Sequence, residues 1–206
     1  MVKNKEKVIV AMSGGVDSSV AAVLLKEAGY DVVGVTMRLW SIKNDSVSKS
    51  SKPCCSVEDI DDARRVCQKL DIPHYVQNFE REFQKYVVDY FCEEYDSGRT
   101  PHPCLACNDR IKFDFLLRRA MFLDADYIAT GHYALLRDGD DGLAEMHRSV
   151  DAGKDQSYVL GVLDQHQLRH SLFPLGDTPK AQVREEAARR GLLVADKPDS
   201  HDICFV

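Results

Sequence analysis

The stretch at 8–19, VIVAMSGGVDSS, most constrains what this chain can fold into. Val8, Ile9 and Val10 are β-branched or apolar in an unbroken run, the pattern of a strand buried on both faces. Ser13, Gly14 and Gly15 break it at once. Asp17, Ser18 and Ser19 then lead into Val20–Leu25, an apolar run that Gly29 closes as a helix. Strand, glycine turn and helix in that order aim backbone N–H groups and the positive end of a helix dipole at one spot, which is an anion site. The loop is neither a Walker A loop, which needs Gly-Lys-Ser/Thr, nor G-x-G-x-x-G. Asp17 would repel a bare phosphate, so Mg²⁺ carried in with a nucleotide is the expected partner. The plainer alternative is a tight βα turn whose glycines serve packing alone.

Further strands are expected near Val32–Met37, Tyr75–Phe79 and Asp126–Thr130. Helices are expected after Ser56, with Asp59 as the acid of a capping box, over Glu80–Tyr95, and from about Asn108 or Asp109. The last would put Cys107 at a helix N-terminus, where a thiolate is favoured. Alternating helices and buried strands predict an α/β, Rossmann-like parallel sheet flanked by helices, with ligands at the C-terminal strand ends. There the loops at 13–19, 37–40 and 130–133 would meet. Residues 134–148 read as a hairpin with Asp-Asp-Gly at its turn. Lys154 opens an apolar helix, 172–177 is a loop, and Thr178-Pro179 caps a helix through Arg190. Two units are expected: a nucleotide-binding core over 1–135 and a hairpin plus helical extension over 136–206.

Composition narrows the classes. The 206 residues carry 27 Lys and Arg against 33 Asp and Glu, a net charge of −6, which argues against a general nucleic-acid coat but not against one basic face. No run of eighteen apolar residues occurs, and MVKNKEK lacks the apolar segment of a signal peptide. A cytoplasmic protein without membrane contact is expected. Seven cysteines in such a chain point to catalysis, metal binding or burial rather than structural disulfides. Cys67 and Cys92 fall on helices and read as structural. Cys54 and Cys55, at the end of the Ser- and Lys-rich stretch 41–53, are vicinal and poorly placed to chelate one metal.

Seven strings then fall in one order: SGGVDSS, CCS at 54–56, GRTPHPCLACN at 98–108, ATGHYA at 129–134, KDQSY at 154–158, SLFPLG at 171–176 and DSHDICF at 199–205. Together they resemble the tRNA-specific 2-thiouridylase family of ATP pyrophosphatases over nearly the whole chain. The resemblance implies ATP-dependent conversion of a tRNA wobble uridine to 2-thiouridine. It implies that Ala11, Met12, Ser13, Gly14, Gly15, Val16, Asp17 and Ser18 hold ATP phosphates, and that Met37 and Gly131 line the adenosine site. Cys107 matches the nucleophile and Cys204 the persulfide carrier. His102, Pro103 and Cys104 would touch the target base, and Lys154, Asp155, Gln156 and His132 the tRNA. A sulfur donor protein or sulfide is the further partner. The chemistry agrees: adenylation makes the C2 oxygen of uracil a leaving group, and one thiol can carry sulfur while the other resolves a disulfide.

Two departures from the family stand out. Cys104 occupies a position where Asp is common, so Cys104, Cys107 and Cys204 form a donor set that would also suit a [4Fe–4S] cluster with one open iron. The family also continues into β-rich domains that this chain is expected to lack. Rival readings are another adenylating enzyme of the amidotransferase-synthetase kind, which would not need Cys107 or Cys204, a nucleotide sensor without turnover, and a zinc-stabilised RNA-binding module. Among the basic residues, Arg99 and Lys154 lie inside motifs and are favoured to face tRNA.

Overall fold

A computed structural model describes residues 5–40, 56–199 and 205. The expectations for 41–53, Cys54, Cys55 and Cys204 lie outside these residues. Strand β1 (Lys7–Ala11) leads through the glycine turn into α1 (Val16–Glu27), then β2 (Asp31–Arg38), α2 (Val57–Lys69) and β3 (His74–Asn78). A helical run follows as α3 (Glu80–Phe83), π-helical turns at Gln84–Val88, and α4 (Asp89–Asp96). A second run comprises α5 (Pro103–Ala106), π-helical turns at Cys107–Phe115, and α6 (Leu116–Phe122). Then come β4 (Tyr127–Ala129), the hairpin β5 (Ala134–Asp138) and β6 (Ala144–Arg148), α7 (Ser157–Leu160), α8 (Gln165–Arg169), β7 (Ser171–Leu172) and α9 (Lys180–Arg189).

Five of the described strands make one sheet in the order β3-β2-β1-β4-β7, every pairing parallel. Side chains of β1 alternate between its faces. Val8 and Val10 pack with Val20, Val23 and Leu25 of α1, Val66 of α2 and Val183 of α9. Ile9 packs on the other face with Ile111, Phe113, Leu116 and Leu117. Both faces are covered, so the run at 8–10 carries no polar alternation. The chain leaves β1 toward β2 on one side and later returns to β4 on the other. The switch point is therefore the mouth between β1 and β4, where open α/β sheets bind ligands.

The Ser56 capping box forms as expected, with the Ser56 hydroxyl accepting from Asp59 N and Asp59 accepting from Ser56 N, both at 3.1 Å. Several expectations are corrected. The helix through Cys107 starts at Pro103, with His102 as its N-cap, because proline suits the first helical position, where its missing N–H costs nothing. Cys107 thus lies in the second turn and not at the N-terminus. Lys154 precedes α7, which begins at Ser157. Thr178 does not cap α9: its hydroxyl donates to Asp177, and Pro179 takes the cap position. Cys67 is buried, but Cys92 is exposed. Strand β7 was legible only as part of a loop, since two residues carry no period.

Phe113 is fully buried between His132 and Phe173. Phe113→Ala should lower unfolding free energy by about 3–5 kcal/mol, read as a fall in the urea midpoint at constant slope.

Candidate active site

The glycine turn is tied by its own hydroxyls. Ser13 N donates to Ser18 Oγ at 3.1 Å, Gly15 N to Ser13 Oγ at 3.4 Å, and Ser19 Oγ to Gly15 O at 2.7 Å. Met12 and Val16 are buried, and the Met12 N–H donates to the Val35 carbonyl at 2.8 Å, while Ser13 is exposed and Gly15 partly so. Ala11 ends β1 and Met37 is a buried residue of β2. Gly14 has φ +73°, and a Cβ there would collide with the Asp59 carbonyl of α2. Gly131 sits across the mouth, where a Cβ would lie 2.7 Å from Ser18 N and 2.8 Å from the Asp17 carbonyl carbon. The turn after β4 therefore lies against the first turn of α1 with no room for a side chain.

Asp17 points into this mouth. It accepts from Tyr133 Oη at 2.7 Å and from Lys180 Nζ at 2.7 and 2.8 Å. Burial, followed by the bond to Asp17, pushes the Tyr133 phenol far up, so it stays a proton donor. Lys180 Nζ also meets Asp199 Oδ1 at 2.8 Å, and Asp199 further accepts from Lys154 and Arg184, each at 2.8 Å. Burial opposes the Asp199 charge, but the Lys154 and Lys180 donors outweigh it and lower its pKa to about 2. On the other flank Lys197 Nζ reaches Gly14 O at 2.8 Å, Asp59 at 2.7 Å and Asp62 at 2.6 Å.

Lys180, Arg184, Lys197 and Asp199 were missed as site residues. One signal was present: Lys180 stands in the first turn of a helix, where the dipole disfavours a cation unless a partner holds it.

The KDQ motif proves to be a set of braces. Lys154 holds Asp199, Asp155 accepts from Ser149 N at 2.9 Å and Ser157 Oγ at 2.8 Å, and Gln156 Oε1 accepts from Tyr133 N at 3.0 Å. His132 bonds Thr130 Oγ1 at 2.7 Å; desolvation, then the Lys112 charge, lowers its pKa well below the usual value. It is thus a neutral ring rather than a cation for phosphate. Arg99 forms a bidentate pair with Glu94 at 2.6 Å.

Cys104 and Cys107 lie three residues apart on one helical run, Cys104 exposed and Cys107 partly buried against the core beneath Ile9. Asn108, between this run and α7, donates to Val159 O at 3.0 Å and accepts from Lys112 Nζ at 2.9 Å. Phe205 packs on Phe83 and Phe91 with centroids 5.6 and 5.2 Å away, in the same cluster as Cys107. Among the described residues no three His, Cys, Asp or Glu side chains gather as metal ligands. Cys104 and Cys107 are two of the three thiols of the expected cluster set, and Cys204, the third, lies outside the described residues. For Mg²⁺ the glycine turn itself supplies one carboxylate, Asp17, which suits a cation held mainly by phosphate and water.

Gly131→Ala should cost about 1–3 kcal/mol in chemical denaturation through overpacking, while Gly153→Ala, at an exposed turn, should stay within about 0.5 kcal/mol. The lowered Asp199 pKa stabilises the fold fully above pH of about 4, and that share shrinks as pH falls toward 2. Asp199→Asn should remove about 2 kcal/mol at pH 7 and flatten the wild-type decline over that window, as read from denaturant midpoints against pH.

No helix of the described residues is long and apolar enough to cross a membrane. Solved structures share the fold at low identity: a 4-thiouridine synthetase–RNA complex with bound ATP (TM-score 0.61, 16% identity, 97% of this chain and 45% of that one). NMN synthetase from Francisella tularensis is another (TM-score 0.57, 17% identity, 96% and 67%). Proteins named tRNA-specific 2-thiouridylase MnmA are similar in sequence. That of a Nocardioides species is 59% identical over 200 residues, covering 97% of this chain and 54% of its own length. That of Lachnoclostridium phytofermentans is 54% identical over 201 residues, covering 98% and 56%. The chain spans about half the length of these curated relatives. The model of the family described as "tRNA methyl transferase HUP domain" matches residues 6–206, and the chain belongs to that family.

Proposed function

We propose that this chain is the ATP-binding and sulfur-transferring part of a tRNA-uridine 2-sulfurtransferase. The observation that carries the reading is the serine-tied glycine turn at the β1/β4 mouth, with Asp17 facing it, in a chain 54–59% identical to proteins named for that activity. The glycine turn and the first turn of α1 receive the ATP phosphates, with Met37 and Gly131 bounding the adenosine. Mg²⁺, when bound, neutralises phosphate charge next to Asp17.

Uracil O2 attacks the α-phosphate, and pyrophosphate leaves with the electrons of the broken P–O bond. The outer sulfur of a Cys204 persulfide then attacks C2, forming a C–S bond while AMP departs with the O2 oxygen. The Cys107 thiolate attacks Cys204 Sγ and breaks its bond to the transferred sulfur, which leaves on C2 as 2-thiouridine, and a Cys107–Cys204 disulfide remains. A thiol reductant resets that disulfide, and a donor protein or sulfide source reloads the persulfide. His102, Pro103 and Cys104, at the start of the Cys107 helix, meet the target base. Lys154–Gln156 and His132 shape the tRNA-facing side through the braces described above.

The test is nucleoside mass spectrometry of tRNA incubated with MgATP and a persulfide source, together with pyrophosphate release. It uses the chain with its natural continuation where one exists. Wild type should form 2-thiouridine, and Cys107→Ser should abolish thiolation while keeping MgATP binding. An amidotransferase-like synthetase would barely notice that substitution. Iron assay after anaerobic reconstitution separates a persulfide carrier from a [4Fe–4S] cluster.

A further inference from the structure

The ion pairs around the mouth point to a role for one residue that no motif singled out. We infer that Lys180 is a ligand for the outer phosphates of the nucleotide and for the pyrophosphate that leaves, held in reserve by Asp17 until metal and nucleotide arrive. The inference rests on reading the glycine turn as the nucleotide site.

Three observations carry it. First, place: the Lys180 ammonium lies on the Asp17 carboxylate, within the loop itself, though the two residues are 163 positions apart. Its side chain is only 10% exposed, so the ammonium is held within the mouth rather than left in bulk water. Second, replaceability: each acceptor of Lys180 has another partner. Asp199 keeps Lys154 and Arg184. Asp17 keeps the Tyr133 hydroxyl, and a divalent cation is the natural substitute for an ammonium on a carboxylate. Third, contrast: Lys197, the other lysine of the mouth, meets the Gly14 backbone carbonyl as well as two carboxylates and so pins the loop itself, whereas all three acceptor atoms of Lys180 belong to carboxylates. The geometry thus separates a structural lysine from an exchangeable one. The chain of pairs joining Asp17, Lys180, Asp199, Lys154 and Arg184 sets three cations against two carboxylates, with Asp151 beside it on the Lys180 backbone N–H.

The probe is inorganic pyrophosphate titrated calorimetrically without divalent metal, with folding checked by circular dichroism. In wild type Asp17 occupies Lys180. Asp17→Asn leaves Lys180 with Asp199 as its one charged partner and should tighten pyrophosphate binding about ten-fold, the worth of one charge-assisted hydrogen bond. In D17N/K180M that gain should vanish. This double variant leaves no carboxylate at 17 unpaired, so its fold is not put at risk there. The charge-matched D17N/K154M should retain the gain, because Lys154 serves Asp199 alone among the partners described. Equal pyrophosphate binding by D17N and D17N/K180M would overturn the assignment, as would equal losses in both double variants, which would reduce the effect to net charge. Failure of wild type to bind MgATP would instead sink the nucleotide reading of the loop.

Discussion

At the mouth between β1 and β4 two backbone turns run so close that a single added carbon on either has nowhere to go. Gly131 lies against the first turn of α1, and Gly14 against the α2 carbonyl of Asp59. Close approach of this kind brings three helices and two strands to one point. The serines fix the shape of the turn: Ser18 Oγ takes the Ser13 N–H, Ser13 Oγ the Gly15 N–H, and Ser19 Oγ donates to the Gly15 carbonyl.

Charge is then distributed to suit. Asp17 alone would make the mouth repel phosphate, and the fold answers with Lys180, itself steadied by Asp199 and its two further cations. Lys197 binds the other flank, clamping the Gly14 carbonyl to α2. Partly buried pairs of this density contribute little net stability when intact, because desolvation offsets attraction, yet removing one partner is costly. Their retention is easier to understand as site construction than as reinforcement. The KDQ motif fits the same pattern: its side chains brace Asp199, the 149–157 turn and Tyr133, so substitutions there act on the mouth through geometry.

Much of this was legible beforehand. The run at 8–10, the glycines at 14 and 15, the box between Ser56 and Asp59, and the Asp-Asp-Gly hairpin each carry their instruction within a few residues. The parallel sheet followed from their alternation with helices. The helix of Cys107 was placed five or six residues late because two prolines in the 98–108 stretch read as loop. Pro103 instead starts the helix, and position along a helix decides whether a thiol feels the dipole. Arg99, favoured for tRNA, proves to be engaged by its near neighbour Glu94.

Local chemistry along the chain therefore settled the strands, turns, caps and the anion-seeking loop, since those depend on neighbours one to four positions away. The tertiary structure alone decided that two-residue β7 joins the sheet, that Lys180 and Lys197 come to a loop more than 160 positions distant, and that His132 stays neutral. Ion pairs and desolvation depend on distance in space, and a sequence records only distance along the backbone.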